Sequence, residues 1–158
     1  GQAMDFVNIF ITFTGRINRA KYWLAVICCA VLFLAAIGVT MAVSSSMSAI
    51  VSTTLIAYVP FTYVGVVIGI KRLHDRNKSG WWIVLFYCGP MILPLLGLGL
   101  SGAAGVSILY SLLQLISFVI SIWAFVELGC LRGTIGSNQY GPDPLRPEVL
   151  TPPVRTHA

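Results

Sequence analysis

Charge is what this chain has least of. Only 9% of its 158 residues are Asp, Glu, Lys or Arg, while 57% are hydrophobic; a water-soluble domain carries about 25% charged residues. A chain of this composition cannot cover a surface that faces water, which excludes an ordinary soluble domain and leaves the bilayer as solvent. Acids and histidines are scarcer still, at five and two. No HExxH, no phosphate-binding glycine loop and no serine in a nucleophile-elbow context occurs. His74-Asp75 is the one acid–histidine pair, with no second histidine or carboxylate cluster to complete a catalytic or metal site, so a non-catalytic protein is expected. Cys28 and Cys29 are adjacent and Cys88 and Cys130 stand alone, without metal-ligand spacing. No disulfide, metal or cofactor is expected.

What charge there is organises the chain. Tyr22 to Ile70 is a stretch of 49 residues without a charge, and Ser79 to Val126 one of 48. About 20 helical residues cross a hydrocarbon core of roughly 30 Å, so each stretch is long enough for two crossings and a turn. Ser44-Ser45-Ser46-Met47-Ser48 divides the first, and Gly97, Gly99, Ser101 and Gly102 divide the second, since such residues favour turns. The expected fold is an all-α integral membrane domain over 4–144 with spans at about 22–43, 49–70, 81–96 and 104–128, arranged as two hairpins. Ten basic residues against five acidic give a net charge of +5. In a soluble protein this would raise nucleic acid as a partner. Here all ten flank the spans on one side and none lies in the two opposite turns, so the positive-inside rule places that side and both termini in the cytoplasm, and no nucleic-acid partner is expected. The first apolar run is too long for a removable signal and reads as a span. Gly1-Gln2-Ala3 before Met4 reads as a cloning remnant and is set aside.

Phe6, Ile9, Phe10 and Phe13 recur on one helical face, which predicts an interfacial amphipathic helix over 5–14 with Asp5 as N-cap and Gly15 as its C′ stop. The segment 145–158, with Pro147, Pro152 and Pro153 following Pro142 and Pro144, predicts an extended cytoplasmic tail. Arg16 to Trp23 and Arg76 to Trp82 resemble each other as basic, Asn-containing entries into a hairpin, suggesting a parallel repeat; interfacial chemistry alone would generate the same likeness.

Lys71-Arg72-Leu73-His74-Asp75-Arg76-Asn77-Lys78 packs six ionisable groups into eight positions. With the N-terminal basic cluster it predicts an anionic-ligand site built from Arg16, Asn18, Arg19, Arg72, His74, Asp75, Arg76 and Lys78, with Asn138 and Tyr140 at its rim, because guanidinium forks match phosphate oxygens. In the expected geometry Asp75 orients an arginine. The competing reading is a topology anchor, in which positive charge is all that matters. Within the spans, Ser107, Ser111, Gln114, Ser117 and Ser121 form a polar stripe, and Gly65 and Gly69 a small-residue face; both suit helix–helix packing, with a polar pathway as the rival. No acid lies at mid-depth, which disfavours proton-coupled transport. Glu127 is placed to pair with a loop arginine, and Pro60, Pro90 and Pro94 should kink their helices.

Phe13-Thr14-Gly15-Arg16-Ile17-Asn18-Arg19 with Tyr22-Trp23, Arg72-Leu73-His74-Asp75 with Ser79-Gly80-Trp81-Trp82, and Gly136 through Pro144 stand in order as three signatures. On them the chain resembles, from about Phe6 to Pro144, the bacterial inner-membrane family catalogued as domain of unknown function 805. The resemblance implies a multi-span inner-membrane protein with all three signatures on one membrane face, and it transfers no catalytic residue. The expected role is recognition of an anionic ligand (a lipid head group or phosphate) or of a protein partner at the cytoplasmic face, with transport of a small solute or lipid as the alternative and a membrane-embedded enzyme behind it. The expected partners are the bilayer, a specific anionic lipid, and a second copy or another membrane protein.

Overall fold

A computed structural model describes residues 2–104 and 107–146; the Pro-rich segment from 147 on and positions 105 and 106, expected in the fourth span, lie outside the described residues. The elements are α1 (Gln2–Ile11), α2 (Arg19–Val43), α3 (Met47–Asp75), α4 (Trp82–Ala104), α5 (Ser107–Phe125) and a π-helical turn, Val126–Cys130. Among the described residues there is no strand, only an isolated bridge between Asn138 and Gly141. Among the described residues, four segments are long and apolar enough to cross a membrane: Arg19–Val43, Met47–Asp75, Trp82–Leu100 and Ile108–Cys130.

Local chemistry sets most helix ends. Asn18 caps α2 by accepting Lys21 N–H at 2.9 Å, and Ser46 caps α3 by accepting from Ala49 N–H at 3.5 Å. Three serines, Ser44 to Ser46, are enough to turn the chain between them, and Met47 and Ser48 already belong to α3.

Two boundaries differ from expectation. Helix α1 begins before Asp5, which is therefore not its N-cap, and ends at Ile11. Its final carbonyls are taken by side chains: Lys71 Nζ donates to Asn8 O and, at 3.0 Å, to Ile9 O, and Thr12 Oγ1 donates to Asn8 O at 2.8 Å. A glycine stop is not needed, and Gly15, at φ +92°, instead turns the chain toward α2. Helix α4 runs to Ala104, through Gly97 and Gly99, where a turn was expected. Gly97 serves packing: a Cβ there would lie 3.0 Å from Tyr110 Cδ2 and 3.3 Å from Tyr110 Cα, so its absence lets α5 approach α4.

Helix α2 packs along α3 and α4 along α5. A Cβ on Gly65 would overlap the Tyr87 hydroxyl at 2.2 Å, and one on Gly69 would meet Ile83 Cδ1 at 2.5 Å, so α4 side chains fill the space these glycines leave on α3. Pro94 has no N–H to give the Pro90 carbonyl one turn before it; Ser117 Oγ of α5 donates there at 3.1 Å. One member of the serine stripe thus satisfies a proline-freed carbonyl, as a bilayer interior demands.

The buried apolar residues form two clusters near the charged end of the helices. Leu73, Ile83, Phe86 and Leu128 make one, and Ile17, Ala25 and Ile68 the other, with Tyr22 packed against both.

Candidate functional site: the charged cap

Helix α5 ends in Val-Glu-Leu-Gly-Cys, which widens into the π turn closed by Leu131 N–H to Val126 O at 3.0 Å. Carbonyls at a helix C-terminus lack intrahelical donors and carry partial negative charge. Here five consecutive carbonyls are satisfied by side chains from α2 and α3. Leu128 O accepts from Arg72 Nε at 2.8 Å, Gly129 O from Trp23 Nε1 at 3.0 Å, and Cys130 O from Arg19 Nη1 at 2.9 Å. Leu131 O accepts from Arg72 Nη2, and Arg132 O from Arg76 Nη1 at 2.7 Å. Gly129 makes the indole contact possible, since a Cβ there would lie 2.6 Å from Trp23 Cζ2.

Asp75 is the second centre. Its carboxylate pairs with Arg72 and with Arg16, the latter at 3.0 Å, and all three side chains are at least 96% buried. Arg16 continues into the C-terminal segment, donating to Thr134 O at 2.6 Å, Gly136 O at 2.8 Å and Gly141 O at 3.1 Å. Asp75 O in turn accepts from Thr134 N–H at 2.8 Å and Thr134 Oγ1 at 3.0 Å. Gly133 presses on the carboxylate so closely that a Cβ would fall 2.0 Å from Oδ2. A third centre is Glu127, which pairs with Arg76 at 3.0 Å and Lys78 at 3.1 Å.

The remaining polar residues fasten the rim. The His74 ring stacks on Tyr140 with centroids 3.9 Å apart and planes 7° from parallel, and its Nδ1 lies 3.2 Å from Gly15 O. Asn138 Nδ2 donates to His74 O at 2.9 Å and to Thr134 Oγ1 at 2.7 Å. Asp143, itself buried, accepts from Leu145 N–H and Gly136 N–H, and these donors hold its carboxyl below the usual range.

All ten residues singled out in the sequence lie in this cap, yet they do different work there. The guanidinium groups of Arg16, Arg72 and Arg76 are directed at protein carbonyls and carboxylates. Asp75 orients two arginines. Lys78 is ion-paired, Asn18 is a helix cap, and His74, Asn138 and Tyr140 bind one another or nearby backbone. Arg19 is exposed and donates one hydrogen bond. Residues outside the expected set carry the cap as well: Trp23, Lys71, Glu127, Gly133, Thr134 and Asp143. Trp23, Lys71 and Glu127 stood in view as an interfacial aromatic, a loop cation and a partner for an arginine, Asp143 lay inside the third signature, and Gly133 and Thr134 had no assigned role. Arg132 is exposed, and its guanidinium has no hydrogen-bond partner among the described residues.

Two clefts meet at Arg19. A recess of about 30 Å³ lies among Arg19, Arg132, Asp75, Thr134 and Asp143, and a wider groove of about 400 Å³ runs over Ala20, Trp23 and Gly129; Asn18, Arg19 and Leu145 border both. Among the described residues, no three His, Cys, Asp or Glu side chains gather to hold a metal ion.

The chain is similar along most of its length to three proteins of Escherichia coli K12. Inner membrane protein YhaI is 29% identical over 143 residues, covering 89% of this chain and 92% of that one. Uncharacterized protein YiiR is 27% identical over 145 residues, covering 89% and 90%. Inner membrane protein YhaH is 25% identical over 142 residues, covering 85% and 88%. No solved structure matches the chain. The family model described as Protein of unknown function (DUF805) matches residues 10–142, a range that contains nearly the whole cap and all four membrane-capable helices, and the chain therefore belongs to that family as a multi-pass protein of the bacterial inner membrane.

Proposed function

We propose that the chain crosses the membrane as two helical hairpins with both termini and the charged cap in the cytoplasm, and that the cap is a non-catalytic site for an anionic, phosphate-bearing ligand. The topology rests on the absence of basic residues from the two opposite turns. Cysteines introduced at Ser45 and Asn77, in a background freed of the native thiols, test it: Ser45→Cys should label from outside intact cells and Asn77→Cys should not, and the reverse pattern would overturn it.

One observation carries the ligand reading. Once the internal bonds of the cap are assigned among the described residues, Arg132 retains its whole guanidinium fork and Arg19 most of its own, and both border one recess. Four guanidinium groups, of Arg16, Arg19, Arg72 and Arg132, stand there against the two carboxylates of Asp75 and Asp143, the latter within electrostatic reach of Arg16 and Arg132, so the remaining field is positive. The centre of binding thus lies with Arg19 and Arg132, while Arg16, Arg72 and Arg76 hold the frame. Titration of the protein in neutral detergent with sn-glycerol 3-phosphate tests this. Charge-assisted hydrogen bonds contribute about 1.5–3 kcal/mol each, so Arg132→Ala should weaken binding by about tenfold or more, while Arg146→Ala should not. Equal affinity in the two variants, or no binding by the parent, would overturn the reading.

An apolar cleft of about 230 Å³ beside Pro60, lined by Cys29, Leu32, Phe33, Phe61 and Val64, supports lipid transport as the second reading. Saturable uptake of a lipid into the cleft, blocked by Ala57→Phe, is the outcome that would favour it.

A further inference from the structure

The shape of the two clefts at Arg19 says more about the ligand than their charge does. The recess between Arg19 and Arg132 is small, about 30 Å³, and accepts only the oxygens of a compact anion. The groove of about 400 Å³ beyond it is floored by Ala20, Gly129 and the Trp23 ring. A soluble phosphate would occupy the recess and leave the groove unused. The two share Arg19 and Leu145 as walls, so one molecule with a charged end and an apolar body spans both. Trp23 marks the depth: it lies one turn inside the first membrane-capable helix, where aromatic rings meet the glycerol region of a leaflet.

We propose that the ligand is an anionic glycerophospholipid of the cytoplasmic leaflet, its phosphate between Arg19 and Arg132 and its glycerol and first chain carbons over Trp23. This rests on the anion-binding reading above and narrows it to a lipid. Recognition is of the lipid's charge and its apolar body together, so a zwitterionic lipid lacks the first and glycerol phosphate lacks the second.

The test uses the full chain in neutral detergent with three probes: dioleoyl-phosphatidylglycerol, dioleoyl-phosphatidylcholine and sn-glycerol 3-phosphate. Native mass spectrometry reports retained lipid, and a phosphatidylglycerol with brominated chains reports contact with tryptophan by quenching. Phosphatidylglycerol should bind about tenfold more tightly than either other probe, since it alone engages both clefts. Leu145→Gln, at a position 57% exposed and therefore compatible with folding, should weaken phosphatidylglycerol several-fold and leave glycerol phosphate unchanged. Trp23→Phe should remove the part of the quenching that saturates with phosphatidylglycerol, leaving the background from the exposed Trp81, Trp82 and Trp123. If glycerol phosphate binds as well as phosphatidylglycerol and Leu145→Gln changes neither, the lipid assignment falls and the anion site stands. Equal retention of phosphatidylcholine and phosphatidylglycerol overturns charge recognition of a lipid. If none of the probes binds, both readings fall.

Discussion

Toward the ends of α2 and α3 far from the cap, Val43, Met47 and Ile56 are 82, 72 and 74% exposed, and the contact between the helices includes one hydroxyl pair, Thr40 to Thr53 at 3.1 Å. At the opposite end Arg72 and Leu73 are wholly buried, and four arginines, a lysine and a tryptophan reach across to backbone on other elements. The difference follows from the surroundings. Lipid solvates an apolar side chain as well as another helix does, so the far ends need little internal packing. The cap folds several helix ends and loops over one another, burying acceptors such as Leu128 O, and an unmatched buried carbonyl costs about 1–3 kcal/mol. Cations with many donors are the remedy, which is why basic residues crowd one end beyond what orientation alone requires.

Asp75→Ala should break this contrast most severely. It leaves Arg16 and Arg72 buried beside each other without their shared carboxylate, a loss of about 3–5 kcal/mol. Leu55→Ala, at a position far from the cap and 64% exposed, should stay within about 0.5 kcal/mol. Unfolding in mixed micelles measures both, and similar losses would show that the cap is not the stabilising centre. Gly133→Ala comes next, at about 1–3 kcal/mol, because its methyl would displace a carboxylate pinned by two arginines; Gly99→Ala, with open space around it, should be neutral or better. Ser117→Ala should cost about 0.6 kcal/mol, and at most about 1.7. That cost should shrink in a Pro94→Ala background, where position 94 regains an N–H for Pro90 O; an unchanged cost would assign Ser117 to packing alone.

The smallest effect concerns acid. The Asp143 carboxyl sits below its usual value because Leu145 and Gly136 N–H groups favour the ionised form. Its contribution is therefore complete above the ordinary Asp range and is lost as pH falls through the lowered folded value. Loosening of residues 133–146 at strongly acidic pH, read by hydrogen exchange, should be muted in Asp143→Asn, which lacks that step. Identical acid profiles would place the transition elsewhere in the cap.

Much of the fold was legible because charge-free runs of 49 and 48 residues admit few arrangements, and three motifs at span ends could be expected to meet. Glycine was the ambiguous letter. Gly97 at a helix crossing looks, in sequence, like Gly97 in a turn, and only the Tyr110 backbone beside it decides. The site was legible in membership but not in direction. An arginine aimed at Leu128 O and one aimed at solvent read alike, and the π turn that presents those carbonyls has no signature of its own. Arg132 fell outside the expected set because it follows the last span singly, without neighbouring basic residues.

The π turn also imposes an order on assembly. Its carbonyls are made late, while the groups that satisfy them are made early: Arg72 precedes its acceptor at Leu128 by 56 residues, and Trp23 precedes Gly129 by 106. During synthesis the donors on α2 and α3 that serve these carbonyls therefore wait at the membrane without them, Arg72 holding only its ion pair with Asp75. The last span arrives as the piece that closes them. Arrival of the last span and closure of the cap become the same event, and a chain interrupted before Leu128 would expose to quality control donors of Arg72 that the folded cap hides.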